Sequence, residues 1–347
     1  MEKQKSGNIE RLKKTLQSFF RGLAIFVLAF PFANSFAQDA SFSQFYANPL
    51  YLNPALAGTG ECTRLMVNYR NQWPSLTNTF TTYSASADHH IEALSGGVGV
   101  LLTSDNSGNG TITTNRISGI YSYHLKLSEN TKLNAGFEAS YHQQKLNWDK
   151  LVFQDMIDPI SGSTNPGISG EATPSKLTVS AVDFSGGLLL GIKEKYFIGF
   201  AAHHLTQPNL SYYSENNSPL FIKYTVHAGM NLGFGGRNYR TNKSNFIVSP
   251  NILYQQQQNA RQLNGGFYVE KKPIVLGLWY RHNFTNPDGA LFLIGIKQNK
   301  FRFGYTYDLT LSKLKGNTGG AHEFSLAFLV NCNSKRNKPG AIKCPEF

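Results

Sequence analysis

The chain has 347 residues and a formal net charge of +12, with 13% aromatic but only 16% charged residues. This length would ordinarily suggest one large or two ordinary soluble domains, but closed β-barrels also reach it as a single unit, and we expect one domain. The composition suits short strands with an apolar outer face. No window reaches the roughly 18 unbroken apolar residues of a membrane helix, so a membrane-spanning form of this chain has to cross with strands.

The first residues predict export from the cytoplasm. A basic stretch precedes an apolar run over residues 22–32 and the small-residue site Ser35-Phe36-Ala37. This order predicts a signal peptide over residues 1–37, cut after Ala37, with an amphipathic anchor as the alternative. Since these residues hold six basic and two acidic side chains, the charge of the remaining chain is 12 − 4 = +8. Its basic residues are scattered and form no stripe with aromatics, so no nucleic-acid partner is expected.

Residues 38–62 form the next segment, which we interpret as a periplasmic or plug segment. Two Asn-Pro turns break it too often for a central strand. Its aromatic side chains either pack into the periplasmic mouth of a barrel or are presented to a partner, and both interpretations remain open. The motif consists of Phe45, Tyr46, Asn48, Pro49, Tyr51, Asn53 and Pro54.

Residues 63–331 alternate between apolar and polar side chains, most clearly over 220–235. A period of two sends neighbouring side chains to opposite faces of a sheet, and a continuous, aromatic apolar face is typical of a membrane barrel. The pattern predicts an all-β fold, a closed antiparallel transmembrane β-barrel of about 14 strands with both termini periplasmic. The candidate strands lie near 63–71, 78–88, 95–104, 111–127, 131–146, 178–192, 195–204, 221–235, 244–256, 260–270, 273–284, 289–298, 300–310 and 321–331.

Connection lengths support this strand count. Long connections, such as 147–177 and 205–220, follow odd-numbered strands, and most connections after even-numbered strands are tight. The connections near 236–243 and 257–259 depart from this rule. We expect the long connections to face outward and to contact a partner, because they carry apolar residues in a polar setting. The partner-contact candidates are Leu151, Val152, Phe153, Met156 and Ile157.

Charged residues of both signs fall on the face opposite the apolar one. A channel that selects one ion type would use one sign, whereas mixed signs favour salt bridges across the lumen, either as bracing alone or around an inserted segment. These lumen residues are Arg64, Arg70, Arg116, Lys126, Glu138, Asp183, Arg281, Arg302, Asp308 and Glu323.

Neither catalytic nor cofactor motifs are found, so we predict that the protein is not an enzyme and has no cofactor. The pairs His89-His90 and His203-His204 invite a metal interpretation. Adjacent strand residues point to opposite faces, however, and we therefore expect no metal site there.

Several motifs give the chain a family resemblance. They are QDASFSQFYANPLYLNPALAG from Gln38, RLMVNYRNQWPSL from Arg64, FTTYSASAD from Phe80, DFSGG from Asp183, FGYTYDLTLSKL from Phe303, GGAHEFSLAF from Gly319 and the terminal CPEF. Together they resemble the PorP/SprF family of type IX secretion system membrane proteins. The resemblance implies an outer-membrane barrel of the secretion and gliding apparatus. It also implies binding of a secreted or surface protein that carries a type IX C-terminal sorting domain, beside periplasmic secretion-machine components and outer-membrane lipid.

The alternative function is an outer-membrane diffusion channel for small hydrophobic molecules, which would work without a protein partner. An outer-membrane enzyme is the least favoured reading, since no nucleophile and base stand out on one rim.

The three cysteines that follow residue 37 predict a link at the end of the chain. Barrel closure places Cys62 and Cys332 near the same rim, with Cys344 tethered close by. We predict a disulfide between Cys332 and Cys344, with Cys62 to Cys344 or three free thiols as alternatives. The bridge would hold the basic periplasmic tail, residues 332–347, against the rim, where it would meet an acidic partner.

Overall fold

The computed structural model describes residues 39–60, 62–164, 169–213, 217–234, 246–284, 287–312, 316–332 and 342. The predicted signal peptide, Cys344 and most of the predicted tail lie outside these residues. Among the described residues, no helix is long and apolar enough to cross a membrane.

The alternating segments form one antiparallel sheet of fifteen hydrogen-bonded segments. Two of them lie end to end along the same neighbour and count as one strand, so the described residues contain fourteen barrel strands. The strands are β1 (Thr63–Gln72), β2 (Phe80–Ile91), β3 (Gly96–Ser107), β4 (Ile112–Lys126), β5 (Thr131–Leu146), β6 (Thr178–Ile192), β7 (Tyr196–His203), β8 (Lys223–Met230 and Leu232–Phe234), β9 (Phe246–Gln257), β10 (Ala260–Lys271), β11 (Ile274–His282), β12 (Pro287–Lys297), β13 (Phe301–Thr310) and β14 (Ala321–Val330).

The sheet closes on itself because its first and last strands pair. β1 and β14 are antiparallel in continuous register from Thr63 opposite Val330 to Gln72 opposite Ala321. Every other strand pairs with its neighbours in sequence. The predicted closed, even-stranded antiparallel barrel is therefore confirmed. The strand predicted over 221–235 differs in detail, since it is interrupted at Asn231, whose N–H donates to Lys195 O at 2.8 Å.

Side chains alternate across the barrel wall as the sequence pattern requires. In β8, Lys223, Thr225 and His227 point inward and are buried, while Tyr224 and Val226 point outward and are exposed. The same alternation in the other strands covers the outer surface with exposed Leu, Ile, Val, Phe and Tyr side chains. A soluble protein would bury such a surface, and a membrane barrel presents it to lipid.

The barrel has two unlike rims. We call the end with Thr63 and Val330 the cysteine rim; its tight connections include 127–130, 193–195, 272–273 and 298–300. We call the other end the long-loop rim; its connections include 147–177 and 204–222. Strand lengths also differ, because β6 has 15 residues and its neighbour β7 only 8. The wall therefore drops sharply between these two strands at the long-loop rim.

Short helical turns occur outside the strands. The N-terminal segment contains 3-10 turns at Phe45–Ala47 and Pro54–Leu56 and one short helix, α1 (Pro49–Leu52). Proline starts two of them because its fixed φ suits a first helical position. Further 3-10 turns lie at Glu92–Leu94, Trp148–Lys150 and Gln154–Met156.

Candidate functional site

Residues 39–60 lie inside the barrel, and we call them the plug. Most of the plug is buried, including the motif residues Phe45, Tyr46, Asn48, Pro49, Asn53 and Pro54, and Tyr51 is half-buried. In the structure, the motif therefore packs inside the barrel and is not presented on a surface. The plug bonds to or clusters with inward-facing residues of all fourteen strands.

Aromatic contacts fix one side of the plug. The Phe45 ring lies 5.2 Å from the Trp279 ring of β11, edge to face. The Tyr46 ring lies 5.8 Å from Phe197 of β7 and 6.4 Å from Tyr268 of β10. Edge-to-face pairs at these separations stabilise packing beyond the area that they bury.

Glycines in the wall let the plug backbone lie directly against the strands. A Cβ atom at Gly136 of β5 would come within 2.2 Å of Ala55 N, and one at Gly97 of β3 within 2.2 Å of Ala57 O. At Gly187 of β6 it would come within 2.0 Å of Asn53 Oδ1. Any larger residue at these positions would overlap the plug, so the glycines form a seat that is shaped for it.

An ionic network binds the middle of the plug to the closing seam. The Glu323 carboxylate accepts the N–H groups of Ser43 at 2.6 Å and Gln44 at 3.0 Å. Arg70 reaches Glu323 at 3.2 Å and Asp308 at 3.0 Å. Each buried charge thus has an opposite charge and further hydrogen bonds, which buried ion pairs need to offset desolvation.

A second ion pair holds the plug where it joins β1. Arg64 contacts Asp88 at 2.7 Å and donates to Leu56 O at 2.8 Å. Asp88 in turn accepts the Gly58 N–H at 2.7 Å. The arginine and the aspartate therefore both form hydrogen bonds with main-chain groups of the plug.

Asp39, the first described residue of the plug, binds to the barrel wall. Its carboxylate lies 2.8 Å from His204 Nε2 and 3.6 Å from Lys223 Nζ, and its N–H donates to Gln257 Oε1 at 3.0 Å. Burial raises the pKa of the Asp39 carboxyl, but the charges of His204, Lys223 and, more weakly, Arg116 outweigh burial and hold this pKa well below its usual range.

The opposite shift occurs at His204. Burial lowers the pKa of its imidazole, but the Asp39 charge and a hydrogen bond to Asp183, 2.7 Å from Nδ1, outweigh burial and raise this pKa to about 9. At neutral pH an imidazolium therefore bridges two carboxylates. The bridge joins the plug to the barrel wall.

The same cluster contains a possible metal-ligand set. Ligand atoms of His142, Asp183 and His204 all lie within 4.8 Å of one another, and two imidazoles with a carboxylate suit zinc. In the structure these atoms bond to each other and to the plug: Asp183 accepts from His204, and His142 Nε2 lies 3.1 Å from Ser140 Oγ. We assign the cluster to holding the plug. Sequence reasoning weighed only adjacent histidines and missed it, because its members come from β5, β6 and the residue after β7.

The predicted lumen charges all lie on the inward face of the wall. Eight of them are buried, Arg281 is half-buried and Lys126 is exposed at the cysteine rim. The buried charges are Arg64, Arg70, Arg116, Glu138, Asp183, Arg302, Asp308 and Glu323. Several of them contact the plug, so mixed signs in the lumen accompany an inserted segment.

The predicted partner-contact residues lie on the long-loop rim but are not uniformly exposed. Val152 and Ile157 are exposed, Leu151 and Phe153 are half-buried, and Met156 is buried. The Phe153 ring packs 4.9 Å from the Trp148 ring. Part of this connection thus packs on itself, which leaves Val152 and Ile157 as the accessible members.

The predicted disulfide is wrong. Cys62 is bonded to Cys332, with a Cα–Cα distance of 4.5 Å. Neither cysteine is therefore available to pair with Cys344, as the prediction and its alternative required. The physical reason is the closing seam: Thr63 pairs with Val330, so Cys62, one residue before β1, lies close to Cys332, two residues after β14. The bond links the base of the plug to the end of the barrel.

Comparison with solved structures finds similarity to outer-membrane proteins and transporters. The toluene transporter TbuX of Ralstonia pickettii aligns with 84% of this chain and 95% of its own, at 11% identity and a TM-score of 0.47. Omp33 of Acinetobacter baumannii aligns with 77% of this chain and 97% of its own, at 8% identity and a TM-score of 0.42. At these values the likeness carries no argument about function. No curated protein matches the chain.

The family comparison is more specific. The family model described as "Type IX secretion system membrane protein PorP/SprF" matches residues 34–328, which include the plug and nearly the whole barrel. A closed barrel with an apolar outer face fits that description and places the protein in the outer membrane. The chain belongs to the PorP/SprF family of type IX secretion system membrane proteins.

Proposed function

We propose that this barrel binds and anchors a secreted or surface-displayed protein and is not a diffusion channel. The observation that carries the proposal is the plug. Residues 39–60 are buried in the lumen and contact described residues of every strand, which argues against a diffusion path for a small molecule through this part of the barrel. A plugged barrel whose family belongs to a secretion system offers its rims as binding surfaces.

The proposal assigns a role to each rim. The cysteine rim, which carries both chain ends of the barrel, faces the periplasm and the secretion machinery. The long-loop rim faces outward and receives the partner, a protein with a type IX C-terminal sorting domain. Exposed apolar residues on this rim, among them Val152, Ile157 and Ile160, support this role because such residues usually mark contacts.

Deletion of residues 150–172 tests the outward role of the long-loop rim. The hydrogen bond from Leu146 N to Leu177 O at 2.8 Å closes the base of this connection, so a shortened loop joins β5 to β6 without strain. We expect the barrel to fold, seen as a heat-dependent electrophoretic mobility, and the partner to be lost from the tagged protein. A matched deletion of residues 316–319 on the same rim should keep the partner. Partner retention after the first deletion would contradict the assignment.

The channel is the competing function, and the plug supports partner binding over it. Uptake of a small hydrophobic molecule into liposomes that contain only the purified wild-type protein would favour the channel. We expect no uptake above that of protein-free liposomes.

A further inference from the structure

The step between β6 and β7 leaves part of β6 without a neighbour. β6 pairs with β5 along nearly its whole length, from Thr178 to Ile192. Its pairing with β7 begins only at Gly186 opposite Ala202 and continues to Ile192. On the β7 side, no described strand pairs with residues 178–185.

The free edge presents main-chain groups at alternate residues. Phe184 O points toward the β7 side, because it accepts the Leu205 N–H at 2.9 Å. In an antiparallel strand every second residue points the same way, so the N–H and C=O groups of Thr178, Ser180 and Val182 also face this side. Among the described residues, the hydrogen bonds between the 204–222 connection and this part of β6 lie near its two ends, from Leu205 and Thr206 at one and from Ser175 to Tyr212 O at the other. Thr178 and Ser180 between these points are exposed.

This edge lacks the devices that normally protect an exposed strand. Residues 177–182 read Leu-Thr-Val-Ser-Ala-Val, with neither charge nor proline. Natural proteins guard such edges with lysine, proline or a bulge, because an open edge recruits further strands. Exposed apolar side chains surround the edge, with Val182 58% exposed and Leu177, Leu205 and Tyr213 nearby in the chain or on the adjoining connection.

We propose that the edge Thr178–Val182 is a docking site for one extended β-strand of the secreted partner. The incoming strand runs antiparallel to β6, in the position that a longer β7 would occupy. Its main chain bonds to Thr178, Ser180 and the N–H of Val182, because the Val182 C=O already accepts the Thr206 hydroxyl at 3.4 Å. Its uncharged, alternating apolar side chains cover Val182 and Leu177. Strand addition gives affinity through the main chain and specificity through alternate side chains.

A second copy of this chain fits the edge less well. Two copies that share one orientation in the membrane are related by an axis along the membrane normal, which makes their β6 strands parallel. Antiparallel pairing of two β6 edges would need one barrel upside down. Parallel pairing is slightly less stable per residue than antiparallel pairing. It would also break the antiparallel pattern of this sheet.

Two variants test the strand addition, which rests on the proposed function. Ser180→Pro removes an N–H that faces the open edge and leaves the bonds of β6 to β5 intact, since residue 180 does not point toward β5. Ser180→Ala changes the same side chain and keeps the N–H. We expect tagged Ser180→Pro protein to retain at least ten-fold less partner than wild type, and Ser180→Ala to retain wild-type amounts. Equal retention by both variants would overturn the proposal.

A crosslinking experiment covers the case in which the proline variant fails to fold. A photoreactive benzophenone side chain at position 178 of the otherwise native protein should join to an extended segment of the co-purifying protein. The same group at Leu278, on the lipid-facing side of β11, should not. A crosslink between two copies of this chain, or the absence of a crosslink at 178 while the partner co-purifies, would overturn the edge assignment and leave the proposed function standing. If no partner co-purifies with wild type, the proposed function itself fails.

Discussion

Adding one methyl group to the plug seat should open the barrel. In the Gly136→Ala variant the new Cβ atom would lie 2.2 Å from Ala55 N and 2.3 Å from Pro54 C. Ordinary contact begins at 3.4 Å, so the plug backbone has to move by 3.4 − 2.2 = 1.2 Å. Both overlapping atoms are main chain, and rotation of a side chain cannot relieve the overlap.

The overlap sets the size of the expected effect. Overpacking of a well-packed interior costs about 1–3 kcal/mol. Because every 1.4 kcal/mol changes an equilibrium tenfold, the fraction of time with the plug displaced should rise roughly 5- to 140-fold. Single-channel conductance in planar bilayers measures the fraction of time that the plug is displaced, because we expect ions to pass only then.

The matched control is Gly119→Ala on the adjacent strand β4. A Cβ atom at Gly119 meets nothing within 4 Å, because this residue points outward. We expect Gly119→Ala to stay closed like wild type, and both variants to keep heat-dependent electrophoretic mobility. Equal conductance of Gly136→Ala and wild type would refute the seat, and openings in both variants would show that the effect does not come from the plug.

Three further predictions concern the wall, the plug end and the seam. Leu278→Arg, at the centre of the lipid-facing side of β11, should cost about 2–4 kcal/mol of folding free energy in lipid vesicles, while Ile274→Arg at the end of the same strand should cost about 0–1 kcal/mol; equal costs would contradict the assigned depth. The stabilisation that protonated His204 gives the plug is complete below pH 6.5 and is lost as pH rises through its pKa of about 9. Proteolysis of residues near Asp39 should therefore increase between pH 7 and 10 in wild type but not in His204→Gln, and a flat wild-type profile would contradict the bridge. Alkylation of native membranes should label neither cysteine of the rim disulfide until a reductant is added, and labelling without reductant would rule the bond out.

The barrel could be predicted from sequence because its signal is local. Alternation over residues 220–235 assigns each side chain to a face without knowledge of any distant residue, and the predicted strand bounds agree with the structure to within a few residues at β4, β5 and β6. The predicted strands at 178–192 and 195–204 differ in length, and this difference already indicated the step in the wall at the long-loop rim.

The contacts inside the lumen could not be predicted in the same way. Asp39, His204 and Asp183 are far apart in sequence, and only the closed barrel and the path of the plug bring them together. The disulfide failed for a related reason. Cys62 and Cys332 were placed at one rim, but only the pairing of Thr63 with Val330 at the ends of β1 and β14 brings the two cysteines within bonding distance.

Partner binding is the central claim, and purification from the native membrane tests it most directly. The tagged wild-type protein, extracted from its own outer membrane in mild detergent, should carry one secreted or surface protein with a C-terminal sorting domain in a fixed stoichiometry, identified and quantified by mass spectrometry. Recovery of the barrel alone, together with ion conductance by the wild-type protein in bilayers, would contradict it.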